Sequence, residues 1–177
     1  MINLREQAKI TCQADASTAC GWDRVGMAHF TARTTANAAP EQLLRVLTDP
    51  DEIRSWSPIP FDVEDLDGLR LEAGSVARVS GCLAGKRVGF DVEVHAADTT
   101  GLELTAEGPI SIDVLYELEP VDGGSEVTAS VGVRNGSGLT GRLLGKATGA
   151  LLKGGALNAA AGRIARAAES APCVVAA

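Results

Sequence analysis

Between Ala28 and Arg134 apolar and polar residues alternate in short runs; from Gly138 to Ser170 the pattern changes to a helical repeat. AHFTARTTA predicts a first strand, with His29, Thr31, Arg33 and Thr35 on one side and Phe30, Ala32 and Thr34 on the other. Pro40 then opens a helix, PEQLLRVLT, at the position where a missing N–H costs nothing. Asp49-Pro50 closes it, because the Pro50 ring disfavours helical backbone at the residue before it. A second short helix, DEIRSW, stops before Pro58 and Pro60.

Strands follow at FDVEDL, Ser75 to Leu83, Arg87 to Ala96, Leu102 to Glu107, Ile110 to Glu119 and Glu126 to Arg134. Turn residues separate them, at Asp67-Gly68, Ala73-Gly74, Ala84-Gly85-Lys86, Thr100-Gly101, Gly108-Pro109 and Asp122-Gly123-Gly124. One face collects Val88, Phe90, Val92, Val94, Leu102, Leu104, Ala106, Ile112, Val114, Tyr116, Leu118, Val127, Ala129, Val131 and Val133. The other collects Asp91, Glu93, His95, Glu103, Thr105, Asp113, Glu117, Thr128, Ser130 and Arg134. Such a pattern predicts an antiparallel sheet with one dry and one wet face. Which face of strand 75–83 is dry, and so where Arg78 points, stays open.

The dry face needs a cover, and residues 138–170 are the one segment long enough to supply it. Drawn as one helix, this segment places Leu139, Leu143, Ala147, Ala150, Leu151, Gly154, Leu157, Ala161, Ala165 and Ala168 on a single side. Arg142, Lys146 and Lys153 fall within roughly 40° of each other. Ser137 or Thr140 is the expected N-cap, with Arg163 and Arg166 towards the C-terminus and Pro172 beyond it. Ala147, Ala150, Gly154 and Ala161 are small where a packed core favours Leu or Ile. Either another surface approaches closely there, or the helix kinks, or the small residues leave a hollow for a ligand.

The order of elements resembles the START-like, or Bet v 1-like, helix-grip superfamily, which includes polyketide cyclases and lipid-transport proteins. PEQLLRVLTDPDEIRSWSP is similar to its first helix pair, YELEPVDGGSEVTASV to its penultimate hairpin, and GLTGRLLGKATGALLKGGALNAAAGRIARA to its terminal helix. The resemblance implies an α+β fold. Six or seven antiparallel strands would curve around one long C-terminal helix, with two short helices after the first strand and a ligand cavity between sheet and terminal helix. The domain would span 28–170, preceded by a mobile extension over 1–27 and followed by a tail over 171–177.

Composition narrows the function. The net charge of −7 and the absence of a Lys/Arg cluster among aromatics argue against nucleic acid as a partner. No apolar run is long enough to span a membrane, and the first residues carry no apolar signal core, so the expected location is cytoplasmic. Cys12, Cys20, Cys82 and Cys173 form no CxxC pair and read as free thiols; a Cys12–Cys20 bridge requires a non-reducing compartment. With only His29 and His95 besides, no metal spacing emerges and no cofactor is implied. Asn135-Gly136-Ser137 matches a glycosylation acceptor but reads as the turn before the helix. Oligomeric state is not legible.

The candidate ligand-binding residues follow from the dry face and the resemblance. They are Phe90, Val92, Leu104, Val114, Tyr116 and Val131 on the sheet, and Leu143, Ala147, Ala150, Gly154 and Asn158 on the helix. Trp56 and Phe61 stand where family members close the cavity mouth, and would either form a lid or pack in the core. Tyr116 is the one ionisable side chain placed on the dry face. It is either a general acid, a hydrogen-bond donor to ligand, or a core aromatic with its hydroxyl on backbone. His95, beside Asp91 and Glu93, reads as a surface histidine. Aromatic content of only 3% is low for a pocket that folds a poly-β-ketone. The expected function is therefore binding of a hydrophobic small molecule, as a carrier or sequestering protein of natural-product metabolism. The alternatives are an aromatase/cyclase using Tyr116 with Arg78 or Asn158, and an interaction domain without ligand.

Overall fold

The computed structural model describes residues 27–171 apart from 67 and 84. The extension with Trp22 and the cysteines at 12, 20 and 173 lie outside the described residues, as do 172–177. The elements run β1 (Ala28–Ala36), α1 (Pro40–Thr48), α2 (Pro50–Trp56), β2 (Phe61–Leu66), β3 (Val76–Leu83), β4 (Lys86–Asp98), β5 (Gly101–Glu107), β6 (Ser111–Val121) and β7 (Gly124–Arg134). Two helices follow, α3 (Gly138–Lys153) and α4 (Ala156–Ser170). The seven strands form one antiparallel sheet in the order β1-β7-β6-β5-β4-β3-β2. Together they make the α+β helix-grip architecture.

Local chemistry sets the first helices. Pro40 occupies the first turn of α1, and Gln42 Oε1 accepts a hydrogen bond from the Ala39 N–H at 3.0 Å. Asp49 caps α2 by accepting from the Asp51 N–H at 3.1 Å. Leu43, Val46 and Leu47 are the buried stripe of α1. Trp56 closes α2 against it, its indole N–H donating to the Val46 carbonyl at 3.0 Å. The β7 start is tied to the β1–α1 connection by the buried Ser125 hydroxyl, which donates to the Ala38 carbonyl at 2.7 Å.

The C-terminal segment is not one continuous helix. It breaks at Gly154–Gly155, where Gly155 adopts a left-handed φ of 92° that only glycine takes without strain. The break reverses the phase of the apolar face. In α4 the expected residues Leu157, Ala161, Ala165 and Ala168 are buried, with Ala160 and Ile164, against β1 and α1. In α3 the buried residues are Gly141, Leu144, Gly145 and Thr148, about half a turn from the expected face. Leu139, Leu143, Ala150 and Gly154 are exposed, and Ala147 is half-buried.

Close approach is what the buried glycines of α3 provide. A Cβ at Gly145 would overlap the Asn135 side chain, and one at Gly141 would overlap Gly136, so the helix lies directly on the turn leading into it. Gly145→Ala is expected to destabilise the protein by ~1–3 kcal/mol through overpacking. Gly154→Ala, at an exposed position with ordinary φ of −72° but with its new Cβ 3.3 Å from the Ala150 and Leu151 carbonyl oxygens, is expected to change stability by less than about 1 kcal/mol in either direction. Thermal melts of the two variants measure both.

Candidate ligand-binding hollow

Alternation along β3 and β4 turns one set of side chains inward, and the pairing of the strands settles the face that the sequence left open. Ala77 pairs with Val92 and Val79 with Phe90, so Ala77 and Val79 join the dry side. Arg78 therefore points outward. It pairs with Asp91 at 2.8 Å and reaches Glu64 at 3.8 Å. A bulge between Val94 and Ala96 carries β4 on to Asp98, two residues beyond the expected end, and keeps Val94 opposite Leu104.

Over the inward face, α1 and α2 leave a hollow of about 210 Å³. Its floor is Ala77, Val79, Val92, Leu102, Leu104, Val114 and Tyr116 on the sheet. Leu47, Pro50, Ile53 and Trp56 roof it, and Phe61, Val63, Leu66 and Leu71 complete the side. The lining is aliphatic and aromatic throughout, with Tyr116 as its one ionisable side chain.

Tyr116 is 6% exposed. Its ring meets that of Trp56 edge-on, with centroids 6.3 Å apart and planes at 76°. The Trp56 N–H is already engaged by Val46. The Tyr116 hydroxyl has no hydrogen-bond partner among the described residues, contrary to the backbone bond that a core tyrosine is expected to make. It is not sealed off, because Arg134 Nε is the one fully buried side-chain polar atom without a partner among them. Burial pushes the Tyr116 phenol well above the usual tyrosine range, which keeps it protonated.

Six of the residues expected from sequence line this hollow: Trp56, Phe61, Val92, Leu104, Val114 and Tyr116. Phe90 and Val131 belong to the neighbouring core and do not line it. Leu143, Ala147, Ala150, Gly154 and Asn158 do not either. Four of these are exposed, and the reversed phase of α3 turns Leu143 and Ala150 away from the sheet. No residue of α3 or α4 lines it; the hollow lies under the short helices rather than the terminal one. Missed by the sequence reading were Ala77 and Val79, which strand pairing alone reveals, and Ile53, one turn before Trp56 on α2. Leu47 was legible as the apolar face of α1.

The wet face carries a polar chain across the sheet. His95 Nε2 lies 2.9 Å from the Thr105 hydroxyl, which donates to Asp113 at 3.1 Å. Arg134 reaches Asp113 at 3.6 Å and Glu107 at 3.0 Å. These contacts stitch β4 to β7 on the side opposite the hollow, so His95 is a surface histidine as expected. Cys82 is an exposed free thiol. Among the described residues, no helix is long and apolar enough to cross a membrane.

Comparison with known proteins places this geometry. TTHA0849 from Thermus thermophilus superposes with a TM-score of 0.60 at 18% identity, covering 80% of this chain and 97% of that one. CV1439 from Chromobacterium violaceum gives 0.59 at 15% identity, over 81% and 98% of the two chains. Ara h 8.0201 gives 0.52 at 21%, over 78% and 98%. These likenesses show the shared helix-grip fold. No curated protein matches the sequence. The family model "Polyketide cyclase / dehydrase and lipid transport" matches residues 27–169. The chain belongs to that family, within the START/Bet v 1-like helix-grip superfamily.

Proposed function

We propose that the protein binds an apolar small molecule in the hollow under α1 and α2, as a carrier or sequestering protein rather than a catalyst. The observation that carries this reading is the Tyr116 hydroxyl, without a protein partner among the described residues, on a largely buried side chain in an otherwise apolar lining. A free donor on an apolar lining offers a ligand carbonyl or hydroxyl oxygen a hydrogen bond that fixes its orientation. At about 210 Å³ the hollow is smaller than the ~300–1,000 Å³ of drug-sized pockets, so it suits a compact molecule or one end of a longer one.

Family membership favours one second reading, a polyketide cyclase acting at the same place. Tyr116 would be its acid. General acids work best with a pKa near the working pH, and burial moves this phenol the other way. The other two residues considered for that chemistry lie outside the hollow: Arg78 is engaged by Asp91, and Asn158 is exposed.

Tyr116→Phe separates the two. It keeps the ring and removes the donor. A binding contact is worth roughly 0.5–1.5 kcal/mol, so affinity for a ketone- or hydroxyl-bearing apolar probe is expected to fall about tenfold at most. Binding by the native protein is expected to be flat from roughly pH 6 to 10, because the phenol stays protonated throughout. Cyclisation of a poly-β-ketone by the native protein, lost by about 10²-fold or more in Tyr116→Phe, would establish the enzyme instead.

A further inference from the structure

The reversed phase of α3 leaves the helix with a second apolar face, pointing away from the core. Leu139, Leu143 and Ala150 lie within roughly 40° of one another on the helix and opposite its buried glycines. Leu139 is 86% exposed and Leu143 58%. Leucines are seldom left this open without a partner, and a contiguous ridge of them marks an interaction surface.

Arg142, Lys146 and Lys153 run along one edge of this ridge, within about 60° of Leu139, and all three are exposed. None has an acidic partner among the described residues, as is also true of Arg45, Lys86, Arg163 and Arg166 elsewhere in the chain. Charge is also segregated along the chain. No Asp or Glu occurs between residues 127 and 168, although the whole protein carries −7. A helix without acidic residues, with free cations beside exposed leucines, has the composition of one that lies in a lipid interface.

We propose that α3 docks on an anionic lipid surface. Leu139 and Leu143 enter the boundary between headgroups and acyl chains, and Arg142, Lys146 and Lys153 lie against lipid phosphates. The dimensions favour lipid over protein. The helix is about 24 Å long and convex. Its 16 residues, of which only one side faces outward, fall short of the ~20–30 residues a side of a stable protein interface, and it carries no aromatic anchor. A bilayer needs neither, since it deforms around a ridge and its surface charge adds about fivefold in affinity per cation. The acidic remainder of the protein acts weakly at this distance, because 0.1 M salt screens charges over about 10 Å.

Sedimentation of the full chain with vesicles tests the proposal, using phosphatidylcholine alone and phosphatidylcholine with about a third phosphatidylglycerol. Binding is expected to the mixed vesicles, weakening as salt rises. The combined variant Arg142→Gln, Lys146→Gln, Lys153→Gln is expected to bind on the order of 100-fold more weakly. Leu139→Ser with Leu143→Ser is expected to lose roughly tenfold or more. Both variants change exposed side chains, so their thermal melts should match the native protein. Absence of vesicle binding, or equal binding by native protein and both variants, would overturn the proposal. So would a dimer, seen by analytical ultracentrifugation, that the leucine variant dissociates, since the ridge would then belong to a second copy of the chain.

Discussion

Ala77→Phe is expected to abolish binding of apolar ligands while the protein remains folded. Ala77 is buried on β3 opposite Val92, and its side chain is part of the floor of the hollow. A phenyl ring there occupies much of a 210 Å³ space instead of displacing packed core. Affinity should fall by about 100-fold or more, close to 2.7 kcal/mol. Val79→Phe, from the same strand and the same floor, should act alike if Ala77→Phe strains its neighbours. Gly154→Leu is the control. Its side chain would project from the exposed break between α3 and α4, so ligand affinity should not change. Titration with an apolar fluorescent probe, alongside circular dichroism melts, measures all three. Unchanged affinity in both phenylalanine variants would place the ligand elsewhere.

Trp56→Ala is expected to have the largest effect on stability. Three roles converge on this residue: it closes α2 onto α1, roofs the hollow, and meets Tyr116 edge-on. Truncation leaves a cavity continuous with the existing hollow and removes the donor held by the Val46 carbonyl. Large aromatic truncations in a core cost about 3–5 kcal/mol, which for a domain of this size lowers Tm by roughly 10 °C or more. Trp56→Phe retains the ring packing but not the N–H, and should lose about 1–3 kcal/mol. Equal melting of native protein and Trp56→Ala would mean that the short helices contribute little to the fold.

Much of this architecture was legible in the sequence because strands announce themselves by alternation. The run Val88, Phe90, Val92, Val94 admits one dry face, and the β5 to β7 segments repeat the same signal. That is why Val92, Leu104, Val114 and Tyr116 were placed correctly on the dry side. In β3 the signal fails. Val76, Val79 and Leu83 are apolar at mixed spacing, so only the pairing of Ala77 with Val92 decides the face.

The terminal helix misled for a different physical reason. A wheel drawn through 138–170 assumes a constant 100° per residue, and Gly154–Gly155 interrupts that count. Its apolar side is then inward in α4 and outward in α3. Leu143 and Ala150 were assigned to the sheet side by a phase that holds only after the break. Gly141 and Gly145, which permit the close packing of α3, give no hydrophobic signal and were invisible to the pattern. The roof was hard to anticipate as well, since Ile53 and Leu71 line the hollow from segments distant in sequence from most of its floor.

On the reading proposed above, the hollow holds an apolar molecule and leaves it chemically unchanged. Native mass spectrometry of the protein purified from its own host tests this most directly, with Ala77→Phe prepared in parallel. One small molecule is expected to be retained on the native chain and none on the variant. The molecule released after prolonged incubation is expected to have the mass it had when bound. Retention by Ala77→Phe, or a mass change such as loss of water during incubation with the native protein alone, would contradict that reading.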